Sequence, residues 1–326
     1  MENNNCMVSV LCTAFNHGKY IRQTLESFVT QQTDFPFEVL VNDDCSGDDT
    51  AEIIREYAEK YPHIIRATLQ EKNLYSKGIS IHKHVFYPQV RGKYIAFCEG
   101  DDFWCDPMKL QLQVDFLESH PNYSACVHNS KMLFCNENDR LQDLSEPKED
   151  RDIPFELIIK GMGRIYHTSS IMARSELIMG TPDFEAVAEK YGFTDYPIAI
   201  WLSMSGKVRF LERFMSTYRV ASNPGSWTHD LSRNYRSKTR FINGEIAMFK
   251  ALLPHLEGDW LKAAQHELLE REFELMFIEG RVHEQVQPPY LEIYKSKDFK
   301  YRTKQFIKRS LPFLHDIYRK MKGYED

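Results

Sequence analysis

The chain has 326 residues, 42% of them hydrophobic and 27% charged, with a formal net charge of -6. That length can bury a sizeable core in one large domain or one domain with an appendage, and the acidic balance argues against a general nucleic-acid binder, which would carry a basic face. No run approaches the roughly 20 apolar residues that cross a bilayer, and the first residues lack the basic and apolar parts of a secretion signal. The 7 cysteines are scattered singly, mostly in apolar runs, so the sequence reads as a cytoplasmic protein with reduced thiols.

Met7 to Phe15, rich in β-branched and apolar residues, predicts a first, central strand. Asn16-His17-Gly18 turns it into a helix over Tyr20 to Gln31, where Ile21, Leu25, Phe28 and Val29 recur at helical spacing. Phe37 to Val41 is a second strand ending in Asn42-Asp43-Asp44-Cys45-Ser46, and Asp48 or Asp49 stands where it can cap the helix carrying Ile53, Ile54 and Tyr57. One cap uses one acid, and Asp43 and Asp44 lie before the turn, so a ligand-binding role for at least one of them is favoured. Ile64 to Leu69 gives a third strand, a short helix follows around Ile81 to Tyr87, and Tyr94 to Phe97 forms a fourth strand. Strand and helix alternating over short connections predicts right-handed crossovers and a largely parallel sheet.

The fourth strand runs into Cys98-Glu99-Gly100-Asp101-Asp102-Phe103-Trp104. Acids at a strand's carboxyl end lie on the sheet edge where loops diverge and ligands bind. Carboxylates crowded there repel unless a cation sits among them, and a hard divalent ion suits them. The competing reading is an acidic turn ahead of the helix that starts near Asp106-Pro107. Downstream, the pattern predicts a helix over Met108 to Ser119, a strand over Tyr123 to Phe134, and a charge-dense mobile loop over 136–152. A strand over Arg164 to Met172 follows, then a helix opened by Thr194 or Asp195, with two strands over Lys207 to Leu211 and Phe214 to Val220. For Asp195 the residues alone leave two readings open, a helix cap and a functional carboxylate. A zinc site of Cys126, His128 and Cys135 fails for want of paired ligand spacing. The glycine-rich phosphate loops of P-loop ATPases and ordinary NAD enzymes are missing, so any nucleotide must be held by a metal and side chains. From about Arg233 the pattern is helical, and Lys295 to Lys322 holds ten Lys or Arg interleaved with aromatic and aliphatic residues.

Four motifs, in this order, resemble a family 2 glycosyltransferase of the GT-A fold, the nucleotide-diphospho-sugar transferases: Val8 to Asn16, Val41 to Ser46, Glu99 to Asp102, and Thr194-Asp195-Tyr196. The resemblance covers residues 7 to 227. It implies an α/β, Rossmann-like, mainly parallel central sheet flanked by helices, with a C-terminal helical extension. The catalytic domain would span 1–230, with nucleotide-sugar binding in 7–134, the acceptor side in 160–230 and the mobile loop 136–152 between them. A helical region with a basic amphipathic tail would occupy 231–326.

The resemblance also implies roles. Thr13 and Phe15 would border the base, Phe15 by stacking on it, and Asp44 would accept the uracil N3 proton, which favours uridine over cytidine and leaves thymidine open. Glu99 and Asp101 would support the nucleotide sugar, and Asp101 with Asp102 would hold Mn²⁺ or Mg²⁺. Asp195 would be the catalytic base of an inverting transferase, with Arg219, Trp227 and His229 on the acceptor or diphosphate side. The family usually has Tyr at Phe15, Gly at Cys45 and His at the Ala221-Ser222 position. The implied function is metal-dependent transfer of a hexosyl or N-acetylhexosaminyl group from a UDP-sugar to a glycan or lipid-linked acceptor in cell-surface polysaccharide synthesis. Two alternatives stay open: a non-catalytic nucleotide-sugar-binding protein, and a sugar nucleotidyltransferase, which would need a basic glycine-rich loop that Asn16-His17-Gly18-Lys19 poorly replaces. The tail, 295–322, is compatible with peripheral contact at the inner face of the cell membrane or with a solvated basic helix. Nucleic acid is not an expected partner, and an oligomer is left open.

Overall fold

A computed structural model describes residues 6–135, 138–144, 149–161, 165–182, 187, 190–191, 193, 195–220 and 235–310. The chain divides into two units, one of 1–182 with 194–222, the other of 183–193 with 223–326.

In the first unit the described elements are β1 Val8–Ala14, α1 Ile21–Val29, β2 Phe37–Asp43, α2 Thr50–Lys60, β3 Ile65–Leu69, β4 Tyr94–Phe97, β5 Phe103–Trp104 and α3 Lys109–Ser119. They continue with β6 Tyr123–Phe134, β7 Arg140–Asp143, β8 Arg151–Asp152, α4 Phe155–Ile158, β9 Met172–Arg174, α5 Ser175–Met179, α6 Asp195–Ser205 and β10 Lys207–Val220. The strands form one sheet in the order β3-β2-β1-β4-β9-β6-β10-β5, with β7 paired to β6 and β8 to β10. β3, β2, β1 and β4 are parallel, as the alternation of strand and helix requires. Beyond β4 the sheet is mixed: β9 is antiparallel to both β4 and β6, whereas β10 runs parallel to β6.

Both faces of the central strands are buried, and one of them carries a large apolar cluster. Val8, Val10 and Cys12 of β1, Val39 and Val41 of β2 and Ala96 of β4 pack with Ile21, Leu25 and Phe28 of α1, Ile54 of α2 and Leu110, Val114 and Leu117 of α3. The apolar stripe of each helix is what pins it to that face. Phe28 is fully buried with its ring 4.7 Å from that of Trp104, so a Phe28→Ala truncation would cost about 3–5 kcal/mol.

Three local expectations change. The two strands predicted over 207–220 are one strand, β10, with pairing to β6 that slips between Leu211 and Phe214. The exposed Glu212 and Arg213 at that slip break the period-two pattern and make one bulged strand read as two. The strand predicted over Arg164 to Met172 is a turn at Thr168–Ser170 followed by the short β9, because the hydroxyl-rich segment makes its hydrogen bonds through side chains. The predicted mobile loop contains β7 and β8; their polar side chains hide strands whose pairing is carried by backbone groups.

In the second unit the described helices are α7 Tyr235–Leu252, α8 Gly258–Glu279, α9 Leu291–Ser296 and α10 Phe299–Ser310. Ile242 and Ile246 of α7 pack against Leu275 of α8 in a small apolar core. No described helix is long and apolar enough to cross a membrane.

Candidate active site

The carboxyl ends of β1, β2 and β4 lie side by side because the strands are parallel and in register, Ala14 opposite Asp43 and Leu11 opposite Phe97. The turn after β4 is pinned from several sides. Gly100 donates its N–H to the Thr13 carbonyl of β1 at 2.8 Å, and the Thr24 hydroxyl of α1 donates to the carbonyls of Gly100 and Asp102. Gly100 is required by close approach: a Cβ there would lie 2.8 Å from Nδ1 of His17 and 2.9 Å from Cβ of Ala14.

Asp102 is buried, and its Oδ1 accepts the backbone N–H of Arg219 on β10 at 2.8 Å. The Arg219 guanidinium donates to the Asp101 carbonyl and the Gln23 side chain and stacks over Tyr20 and Phe103. It therefore braces the acidic turn from behind. On the open side, Oδ2 of Asp102 lies 3.6 Å from Nδ1 of His167. Glu99, Asp102 and His167 each offer a ligand atom, all within 4.8 Å of one another. Asp101 is not part of that trio; its carboxylate turns toward His17, 3.9 Å away.

Burial pushes the Glu99 carboxyl up to about 8, with Asp101 and then Asp195 adding repulsion. Burial, then Asp101 and Glu99, likewise raise Asp102, with Arg219 opposing. Burial lowers His167 to about 4, so at neutral pH its imidazole is uncharged and keeps a lone pair. The ring stacks on Tyr218 at 3.9 Å, and its Nδ1 accepts the Ser169 N–H at 3.2 Å beside the Ser169 hydroxyl, contacts that a cation held at that nitrogen would replace. Oε2 of Glu99 is buried without a hydrogen-bond partner. Two carboxylates, one with an orphaned oxygen, and a neutral imidazole are a donor set that fits a divalent cation, with the nitrogen favouring Mn²⁺ over Mg²⁺.

The segment carrying His167 is tied to the same turn. The Trp104 indole donates to the Ser169 carbonyl at 3.0 Å, and the buried Gln113 amide donates to the carbonyls of Cys126 and Ser170 at 2.7 and 2.9 Å. Next to His167, the Thr168 hydroxyl donates to Oδ2 of Asp195 at 3.2 Å, while Oδ1 accepts the Tyr196 N–H at 2.9 Å. Burial raises the Asp195 carboxyl. Asp102 and Asp195 thus belong to one site, joined through adjacent residues of one turn.

Asp44 sits on the same edge, buried, with its N–H on the Ala14 carbonyl and its carboxylate accepting the N–H groups of Leu74 and Tyr75 at 2.7 and 3.0 Å. Phe15, 46% exposed at the end of β1, leaves its ring open to a planar partner, and the half-buried Thr13 precedes it. Asn16 and Cys45 adopt left-handed backbone, φ 55° and 65°, where glycine costs least, which is why Cys45 stands out at that position. Of the other acids there, Asp48 accepts from Thr50 N at 3.1 Å and Gly18 N at 2.9 Å, so it serves the start of α2. Trp227 and His229 lie outside the described residues. Sequence reasoning does not single out His167; its one signal is a histidine beside a run of hydroxyl residues.

The fold and the acidic sheet edge together define a nucleotide-sugar transferase architecture of the GT-A class, as comparisons with known proteins bear out. The Glycosyl transferase family 2 profile matches residues 9–174, about half of the chain. An uncharacterized protein of Mycobacterium tuberculosis is 30% identical over 253 residues, 77% of this chain and 69% of its own length. The Escherichia coli UDP-Glc:alpha-D-GlcNAc-diphosphoundecaprenol beta-1,3-glucosyltransferase WfaP is 33% identical over 113 residues, 35% of this chain and 42% of its own. Among solved structures, residues 1-349 of Staphylococcus aureus TarS with UDP-GlcNAc match with a TM-score of 0.58 at 19% identity, over 93% of this chain and 79% of that one. This chain spans 49% of a longer TarS chain. A Pyrobaculum calidifontis mannosyltransferase with GDP-Man and Mn²⁺ matches with a TM-score of 0.55 at 16% identity, over 97% and 84%. The chain belongs to glycosyl transferase family 2 and has the GT-A fold.

Proposed function

We propose that the protein is a divalent-metal-dependent, inverting glycosyltransferase that moves a hexosyl or N-acetylhexosaminyl group from a UDP-sugar to a hydroxyl of a glycan or lipid-linked glycan. The reading rests above all on Glu99, Asp102 and His167 converging within 4.8 Å beside a turn whose Thr168 hydrogen-bonds Asp195. Glu99, Asp102 and His167 would hold Mn²⁺ or Mg²⁺, which when bound supplies Lewis-acid stabilisation of the departing diphosphate. Asp101 stands beside them, and Arg219 keeps the turn in place.

Phe15 offers a face to the uracil ring, with Thr13 at its border. Asp44, although it already accepts two backbone N–H groups, has lone pairs left for the uracil N3 proton. Asp195 takes the proton of the acceptor hydroxyl as its oxygen attacks the anomeric carbon and the bond to the diphosphate breaks on the opposite side, which inverts the configuration. Its raised pKa makes it a better base near neutrality than an ordinary carboxylate. The undecaprenol-diphosphate acceptor named for WfaP and the poly(ribitol-phosphate) acceptor named for Staphylococcus aureus TarS support a cell-surface glycan as the product.

Incubation with UDP-sugars and Mn²⁺ is expected to release UDP, and EDTA to stop it. Asp195→Asn should lower transfer by about 10²- to 10⁴-fold while UDP binding stays nearly intact. A protein that binds no nucleotide with or without the metal, or an Asp195→Asn variant that transfers at the parent rate, would refute the proposal.

A further inference from the structure

The helix α10 turns one face inward and leaves the other unlike the rest of its unit. Tyr301 packs on Phe273 and Phe277 of α8, with ring centroids 5.9 and 5.3 Å away, and its hydroxyl accepts from Gln285 at 3.1 Å. One turn on, the fully buried Gln305 donates to the Val282 carbonyl at 2.9 Å. These contacts fix the rotation of the helix. The opposite face then presents Phe299 and Phe306, two turns apart and 80% and 55% exposed, with Arg302 and Thr303 beside them and the exposed Lys300 and Lys304 farther round the flank.

The cations differ from their neighbours too. Five other lysines of the unit sit on carboxylates: Lys238 on Glu274, Lys250 on Glu272, Lys262 on Asp259, Lys295 on Glu292 and Lys297 on Glu270. Lys300, Arg302 and Lys304 have no carboxylate within ion-pair distance among the described residues. Asp298, the nearest acid in sequence, gives its carboxylate to the Tyr301 N–H at 2.6 Å. No acid stands in α10 itself, and Lys308 and Arg309 extend its basic sequence.

We infer that this face of α10 docks on an anionic lipid bilayer, with Phe299 and Phe306 entering the acyl boundary and Lys300, Arg302 and Lys304 lying at the headgroup phosphates. A polyanion alone would be matched by the cations and would leave the exposed area of Phe299 and Phe306 unburied. A purely apolar partner would leave three charges facing it. An interface with an apolar layer beneath an anionic one satisfies both sets, and lysine and arginine stems can run along the rings while their heads stay wet. The placement needs nothing from the catalytic reading, although an acceptor borne on a lipid would make use of it.

Flotation of the full chain with vesicles tests this. It should partition onto vesicles of phosphatidylcholine with about one-third phosphatidylglycerol, weakly onto phosphatidylcholine alone, and less at high salt. Lys300→Gln, Arg302→Gln and Lys304→Gln together should lower partitioning about 100-fold, and Phe299→Ser with Phe306→Ser about 10-fold or more even at low salt. The altered side chains are exposed, so both variants should keep the parent's circular dichroism and melting curve. No partitioning, equal partitioning onto neutral vesicles, or loss with the charge variant but none with the ring variant would each overturn the proposal. The last pattern, matched by binding to heparin, would instead mark a patch for soluble polyanions. UDP binding measured on the same samples keeps this outcome separate from that of the catalytic proposal.

Discussion

In the helical unit, Glu245 of α7 and Glu267 of α8 close on Arg271 at 3.1 and 3.8 Å, whereas at the sheet edge Glu99 and Asp102 face an imidazole that burial keeps neutral. Both are groups of buried acids. In the first the chain supplies the counter-charge from a side chain of α8. In the second the nearest guanidinium, that of Arg219, is committed to a carbonyl and an amide, and only its backbone N–H reaches Asp102. A buried acid cluster that carries its own cation is a structural device; one that leaves its charge to be met from outside is built to bind. The contrast sets the predictions, from the largest effect down.

Asp102→Asn should cost most. It removes one of the paired carboxylates and should lower Mn²⁺-dependent transfer by about 10³-fold, the scale of losing one charge-stabilising contact in a transition state. UDP release over a Mn²⁺ titration measures it. Activity within about tenfold of the parent would place the sheet-edge acids with the helical ones, as structure.

The mirror experiment is Arg271→Met. With the guanidinium gone, Glu245 and Glu267 remain buried and uncompensated, and the second unit should lose about 3 kcal/mol, read from urea unfolding by circular dichroism. Transfer chemistry at the sheet edge should survive wherever the chain is folded. An unaltered unfolding curve would mean that the two acids are protonated or rehydrated at no cost, and the comparison would fail from its other side.

His167→Gln sharpens the comparison further. Losing the nitrogen donor should weaken Mn²⁺ by about tenfold and Mg²⁺ by less, because on the proposed metal site the imidazole would tilt an otherwise oxygen donor set toward the softer ion. Calorimetric titration with each ion in turn decides it. A parallel loss of both would mean that the ring only props the turn.

The difference between the two halves of the sheet also explains what could be read from the sequence. In β1 to β4, strand, turn and helix follow one another, so local patterning carries tertiary information and the acids appear where a strand ends. The acidic turn at Glu99 to Asp102 was legible for that reason. The mixed half is assembled by non-local pairing: β9 is three residues long and finds its place only between β4 and β6. His167 owes its position to Tyr218, Ser169 and Asp102, none of which a period or a spacing connects to it. The bulge in β10 likewise cut one strand into two on paper.

The smallest effect concerns pH and separates the two clusters without touching the sheet-edge one. Burial outweighs Arg271 at Glu245 and pushes its carboxyl up to about 7, above the usual 4.5. A carboxyl whose folded pKa is raised contributes stability that is present in full below about pH 4.5 and is lost as pH rises through about 7, because the folded chain holds a proton that the unfolded chain has released. Across that window the unfolding free energy of the second unit should fall with pH, by at most ~1.4 kcal/mol per pH unit for one proton. Glu245→Gln, which mimics the protonated form, should flatten that slope and leave the acid side of the curve where it was. A slope that persists in Glu245→Gln would show that the proton is not held by Glu245 and that Arg271, 3.1 Å away, keeps that carboxylate charged.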